Sequence, residues 1–291
     1  MRAQDLQEAV RFSKTDYPSV IQDPLLRVGY EIEFIAPWDP SIDINQSQQK
    51  IMRKQLPLLL ADLETDLGLS VKFNATRNTV NSGTWNLVQD QTIEPNDEKH
   101  ELGWELVSPP MPIKQSLMHL KQIFSWIREN GYYANHTCGF HVNVSYADKT
   151  TQADSLKLIL LMGEKYLADL FDRATNRFAA SHIQELQAKI RKNPQIVLTA
   201  DTDIQQLKTQ LRKLLSQEKN RTVNLGKQAT RGYLEFRIAG GENYHQRFDE
   251  IENMILRYGF VLKASLDPDS FKREYTQELA KLITNARNQE V

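Results

Sequence analysis

A chain of 291 residues can form one large domain or two smaller ones, and either can bury a core without covalent staples. Lys and Arg total 36 against 37 Asp and Glu, a net charge of −1, so no global basic field points to nucleic acid or an anionic membrane. Cys138 is the single cysteine, which excludes an intrachain disulfide. With no signal-peptide pattern and no apolar run near the ~18 residues that span a bilayer, a soluble cytoplasmic protein is expected.

In chain order, Ala3 to Lys14 reads as a short helix, and Pro18 and Pro24 punctuate an irregular approach to the strand RVGYEIEFIAP, which Pro37 stops. From about Gln46 to Leu67, Ile51, Leu56, Leu59, Leu60, Leu63 and Leu67 recur at helical spacing around a tolerated Pro57, itself able to split or kink the helix. Strands are expected near Ser70–Ala75 and Thr84–Val88, then a polar turn region at Asp90–Glu101, then GWELVSPP, ended by its paired prolines. Leu117, Leu120, Ile123, Phe124 and Ile127 give an amphipathic helix over Ile113–Asn130, with Gly131 placed to cap it.

CGFHVNVS follows as a strand. Gln152–Lys192 reads as helix broken near Asn176–Ser181, and Thr202–Lys219 as another helix. Strand chemistry returns in RTVNL and GYLEFRIAGG, and helices at about Arg247–Ser265 and Pro268–Arg287 close the chain. The order lacks a regular βαβ rhythm and the strands alternate in polarity. An α+β fold is therefore expected, a mainly antiparallel sheet with helices on one face.

Four strand segments place ionisable groups on one face and apolar groups on the other. In VGYEIEFI, Glu31 and Glu33 oppose Tyr30, Ile32 and Phe34; in GWELVSPP, Glu105 opposes Trp104 and Leu106. In CGFHVNVS, His141 and Asn143 oppose Phe140, Val142 and Val144, and in GYLEFRI, Glu235 and Arg237 oppose Leu234, Phe236 and Ile238. Any one segment fits a wet sheet face, but such a face has no need for four glutamates and a histidine in place of Thr and Lys. Converging carboxylates need cations. An oxygen-rich set with one imidazole suits Mg²⁺ or Mn²⁺ better than zinc. Two such ions on a carboxylate-lined sheet suit phosphoryl chemistry, with Arg237 as fixed positive charge for the transferred group.

No phosphate-binding P-loop, nucleophile elbow, zincin or dinucleotide fingerprint occurs. Gly240 and Gly241 most simply end a strand, with phosphate cradling as the alternative, and Cys138 reads as a small core residue.

The ordered set GYEIEF, GWELVSPP, CGFHVNVS and YLEFRI resembles the carboxylate–amine ligase superfamily with the glutamine synthetase-like fold, most closely its amidoligase family. The resemblance implies a single catalytic domain over 1–291, a curved sheet with helices on its outer face and a helical insertion at about 152–219. It implies an ATP- and Mg²⁺-dependent (or Mn²⁺-dependent) ligase that phosphorylates a glutamate-like or peptide carboxylate, after which an amine attacks the acyl phosphate. By this likeness Glu31, His141 and Glu235 would hold one metal, and Glu33 and Glu105 a second nearer the acceptor carboxylate. Arg237 would meet the γ-phosphate, and KNRTVNL would bring Lys219 or, better, Arg221 towards the nucleotide. Asp90, in TWNLVQDQTIEP, would meet the amine or else cap a turn locally.

Asn143 stands where glutamine synthetases proper have a second histidine contacting phosphate or substrate. That departure favours a peptide, amino-acid or polyamine amine over ammonia. A metal-dependent hydrolase on the same sheet, or a non-catalytic binding protein, are the alternatives. Neither nucleic acid nor membrane is expected as a partner, and the oligomeric state is left open.

Overall fold

The computed structural model describes residues 17–37, 48–74, 83–97, 100–199 and 201–288. The helix expected over Ala3–Lys14 lies outside them. The elements are α1 (Tyr17–Ile21), β1 (Leu26–Pro37), α2 (Gln48–Leu67), β2 (Val71–Asn74), β3 (Trp85–Gln89), β4 (Glu101–Val107), β5 (Met111–Pro112), α3 (Ile113–Glu129) and β6 (Phe140–Tyr146). They continue with α4 (Ser155–Leu161), α5 (Glu164–Leu170), α6 (His182–Arg191), α7 (Ile204–Leu214), β7 (Val223–Asn224), α8 (Gly226–Arg231), β8 (Leu234–Phe236), α9 (Phe248–Leu266) and α10 (Lys272–Asn288). Strands and helices mix irregularly and most strand pairs are antiparallel, an α+β architecture. No helix among the described residues is long and apolar enough to cross a membrane.

The chain divides into two compact units. The first, the sheet unit, comprises Arg27–Asn143 and Ala239–Asn253. Its strands lie in the order β2-β3-β4-β1-β6, with β5 pairing β1. β1 runs antiparallel to β4 and β5, and β3 antiparallel to β4, whereas β2 and β3 are parallel. The alternation in β1 sends Tyr30, Ile32 and Phe34 into a fully buried core. There Tyr30 stacks on Phe140 with ring centroids 5.5 Å apart, and Phe34 meets Trp126 of α3 edge-on at 5.8 Å.

Helix α3 supplies the other half of that core through Leu117, Leu120, Ile123, Phe124 and Ile127, three and four residues apart on one face. Each such side chain contributes about 1.5–3 kcal/mol by leaving water. The Tyr30 hydroxyl donates to Ser116 Oγ at 3.0 Å, which satisfies that buried polar tip. Just past α3, Gly131 takes φ +68°, the left-handed position where a Cβ would be strained. Helix α2 runs unbroken through Pro57, with Leu59 and Leu63 buried on its inner face.

The second, the helical unit, comprises the residues up to Leu26, Val144–Ile238 and those from Met254 onward. Asp154 caps α4 by accepting from the backbone N–H groups of Leu156 and Lys157, Ser181 caps α6, and Asp203 caps α7. The helix expected from Gln152 onward is interrupted earlier than Asn176, because Gly163 at φ +76° separates α4 from α5. β7 and β8 pair antiparallel with Asn224 opposite Glu235, and between them lies α8, a helix that the sequence reading does not assign. Behind β8, Phe236 stacks on Tyr258 of α9 at 3.9 Å.

Candidate metal centre

In the sheet unit, pairing of β1 with β4 sets Glu33 opposite Glu105. Both are as buried as the apolar core, 6% and 1% exposed, and so is His141 at 4%. One ligand atom from each of these three residues lies within 4.8 Å of the other two, a spacing a single ion can bridge. Glu33 is fixed from two sides: its Oε2 accepts the Gly139 backbone N–H at 2.6 Å, and its carbonyl accepts the Tyr244 hydroxyl at 2.8 Å.

His141 Nδ1 lies 3.0 Å from Glu31 Oε2, and Nε2 lies 3.9 Å from Glu33 Oε1. A carboxylate accepts, so Nδ1 donates to Glu31, and Nε2 is the ring nitrogen turned towards Glu33, the orientation that would offer it to a metal. The other oxygen of Glu31 accepts from Asn143 Nδ2 at 3.0 Å. Glu31, Glu33, Glu105, His141 and Asn143 therefore belong to one connected group. Its donor set of carboxylate oxygens and one imidazole nitrogen fits Mg²⁺ or Mn²⁺.

In the helical unit, charged and amide side chains gather around Glu235. Glu235, 1% exposed, pairs with Arg237 through one oxygen; through the other it meets Lys227 Nζ at 2.7 Å and Asn224 Nδ2 at 2.9 Å. Arg237 also donates from Nε to the Phe178 carbonyl at 3.3 Å. Arg221 Nη2 lies 2.9 Å from Glu218 and 3.4 Å from Glu185, while Lys219 is exposed.

With this geometry in hand, comparison with known proteins adds a family. A family model described as "Putative amidoligase enzyme" matches residues 24–251, which take in β1 through β8. The chain belongs to the amidoligase family. Comparison with curated proteins gives no match. Among solved structures, a GmaS/ADP complex in its first conformation aligns at 13% identity and a TM-score of 0.40, over 92% of this chain and 67% of that one. A glutamine synthase homolog aligns at 13% identity and 0.34, over 94% and 67%.

Several residues of this amidoligase that shape its charged clusters carry no signal in the sequence. Gly139 has no ionisable group, yet it brings a backbone donor to Glu33; Tyr244 lies between the strand expected to end at Gly241 and the helix expected from about Arg247. Lys227 and Asn224 flank Glu235 from α8 and β7. Glu164 is buried and accepts from the backbone N–H groups of His182 and Ile183 at 2.8 and 3.1 Å and from the Thr222 hydroxyl at 3.0 Å. Burial pushes its carboxyl above the ordinary range in spite of those bonds.

Asp90 accepts from the backbone and hydroxyl of Thr92, the local turn contact that its position also suggests. Cys138 is fully buried, its Sγ 3.9 Å from Asn135 Oδ1. Gly240 forms a bridge with Gly139, and a Cβ on Gly240 would lie 2.6 Å from the Cys138 carbonyl, so close backbone approach accounts for that glycine.

Proposed function

We propose that this amidoligase joins a glutamate-like carboxylate to an amine at the expense of ATP, with Mg²⁺ or Mn²⁺ bound at Glu33, Glu105 and His141. The observation that carries the reading is the buried convergence of those three side chains, since buried acidic groups set this close together repel unless a cation sits among them. The bound metal would neutralise charge on the phosphate being transferred.

The reaction balances in two steps. A substrate carboxylate oxygen attacks the γ-phosphorus and ADP leaves; the amine nitrogen then attacks the acyl carbon, phosphate leaves with the C–O electron pair, and the nitrogen loses a proton. Glu31 holds the His141 tautomer and steadies Asn143, whose short amide replaces a ring and leaves room for an amine larger than ammonia. Arg237, aligned by Glu235, and Arg221 supply positive charge for the nucleotide phosphates, and Lys219 adds to their field.

The test is an incubation with ATP, Mg²⁺ and a panel of glutamyl carboxylates and amines, with mass detection of product. One amide per ADP is expected, falling roughly 100-fold or more in Glu105→Gln because a ligand charge is lost. ADP without any new amide would assign the sheet to hydrolysis. Absence of Mg²⁺ and Mn²⁺ binding by calorimetry would remove both enzymes and leave a binding protein.

A further inference from the structure

The segment between α5 and α6 carries an aromatic ring into solvent while its backbone is fixed on every side. Phe178 is 46% exposed, between an exposed Arg177 and a buried Ala179. Its N–H donates to Asn176 Oδ1 at 2.8 Å and its carbonyl accepts from Arg237 Nε at 3.3 Å. Two residues on, Ala180 N–H donates to the Asn220 carbonyl at 2.9 Å, and Thr222 N–H donates to the Ala180 carbonyl at 3.1 Å.

Thr222 is held in turn by the buried Glu164, which also grips the first turn of α6. A lone exposed phenylalanine on a free loop needs no explanation. One immobilised beside two arginines is different: ordering its backbone is costly, and the ring recovers little of that cost by burial.

We infer that Phe178 is the stacking platform for the purine base of the nucleotide, set beside the Arg237 guanidinium that meets its phosphates. The inference rests on the ATP reading above. The Arg177 guanidinium lies over one face of the Phe178 ring, 4.8 Å from its centroid, which preorganises the ring and raises its affinity for a second flat π-system. The backbone link from the Phe178 carbonyl to Arg237 ties the base platform to the phosphate-binding side chain, so base and phosphates engage one rigid ledge.

The experiment compares Mg²⁺-ATP with inorganic tripolyphosphate, which keeps the phosphates and lacks the base, by calorimetry on the full chain. Phe178→Ala is expected to weaken ATP roughly 5- to 150-fold, the range of base-on-aromatic stacking, and to leave tripolyphosphate unchanged. Phe178→Trp is expected to keep ATP affinity within about threefold. Because the ring is exposed, neither variant should shift the melting temperature. Unchanged ATP affinity in Phe178→Ala, or an equal loss for ATP and tripolyphosphate, would overturn the platform while leaving the ligase reading intact. A wild-type chain that binds neither ligand would overturn both.

Discussion

Substituting Gly139 tests the geometry around His141 without touching an ionisable group. A Cβ at this position would lie 2.7 Å from His141 Nε2 and 3.3 and 3.4 Å from the carboxylate oxygens of Glu33, closer than packed carbon and nitrogen tolerate. The backbone at Gly139 is not in the left-handed region, so alanine there meets crowding rather than backbone strain. The imidazole cannot swing away freely, because Nδ1 is held by Glu31 at 3.0 Å. Either the ring moves and loses that bond, costing about 1–3 kcal/mol, or the strand yields, at a similar cost for overpacking.

Gly139→Ala should therefore lower the melting temperature of the metal-free protein by several degrees, at about 2–4 °C for each kcal/mol. It should also weaken Mn²⁺ by at least about tenfold, since it displaces the nitrogen offered to the ion. Differential scanning calorimetry and Mn²⁺ titration read the two effects separately. A variant that melts with the wild type and binds Mn²⁺ equally well would refute the placement of Nε2.

Burial, with Arg128 nearby, holds the His245 imidazole down at about 4. Above pH ~6.5 it is neutral in both folded and unfolded chains; as pH falls from there towards 4 only the unfolded chain takes the proton, so stability is lost across that window. Wild type should lose about 2 kcal/mol more than His245→Gln between pH 7 and pH 5 in urea unfolding, and matching pH profiles would contradict this. Phe236→Ala should cost about 3–5 kcal/mol, because its ring is fully buried and stacked on Tyr258; thermal unfolding within about 1 kcal/mol of wild type would contradict that packing.

Alternation made β1, β4 and β6 legible, because Tyr30, Ile32 and Phe34, Trp104 and Leu106, and Phe140 and Val142 all occupy the core that their spacing assigns them. A period of two separates faces but does not say whether the second face is wet. Glu33, Glu105 and His141 are buried too, and only the pairing of β1 with β4 and the approach of Gly139 show it. Helical spacing marked α2 as well; whether Pro57 would break it was not legible, and burial of Leu59 and Leu63 in the turns that follow outweighs the donor the proline removes.

Helix α8 was hidden because GKQATR is too short for any periodicity, and the parallel pairing of β2 with β3 because pairing direction leaves no local mark. Contacts such as Tyr244 to Glu33 span 211 residues, and no local pattern encodes them.

That long span bears on the order in which the chain is made. Glu33, Glu105 and His141 leave the ribosome early, but Tyr244, which closes on the Glu33 carbonyl and packs its ring against Phe140, follows only after the whole of Val144–Ile238 has been synthesised. At ~5–20 residues per second, the 211 residues from Glu33 to Tyr244 take roughly 10–40 s, during which β1 is without its covering phenol. A nascent chain arrested before Tyr244 holds every proposed ligand of the sheet unit and lacks the brace behind them. Competence to bind the ion should therefore arise late in translation, as a single step.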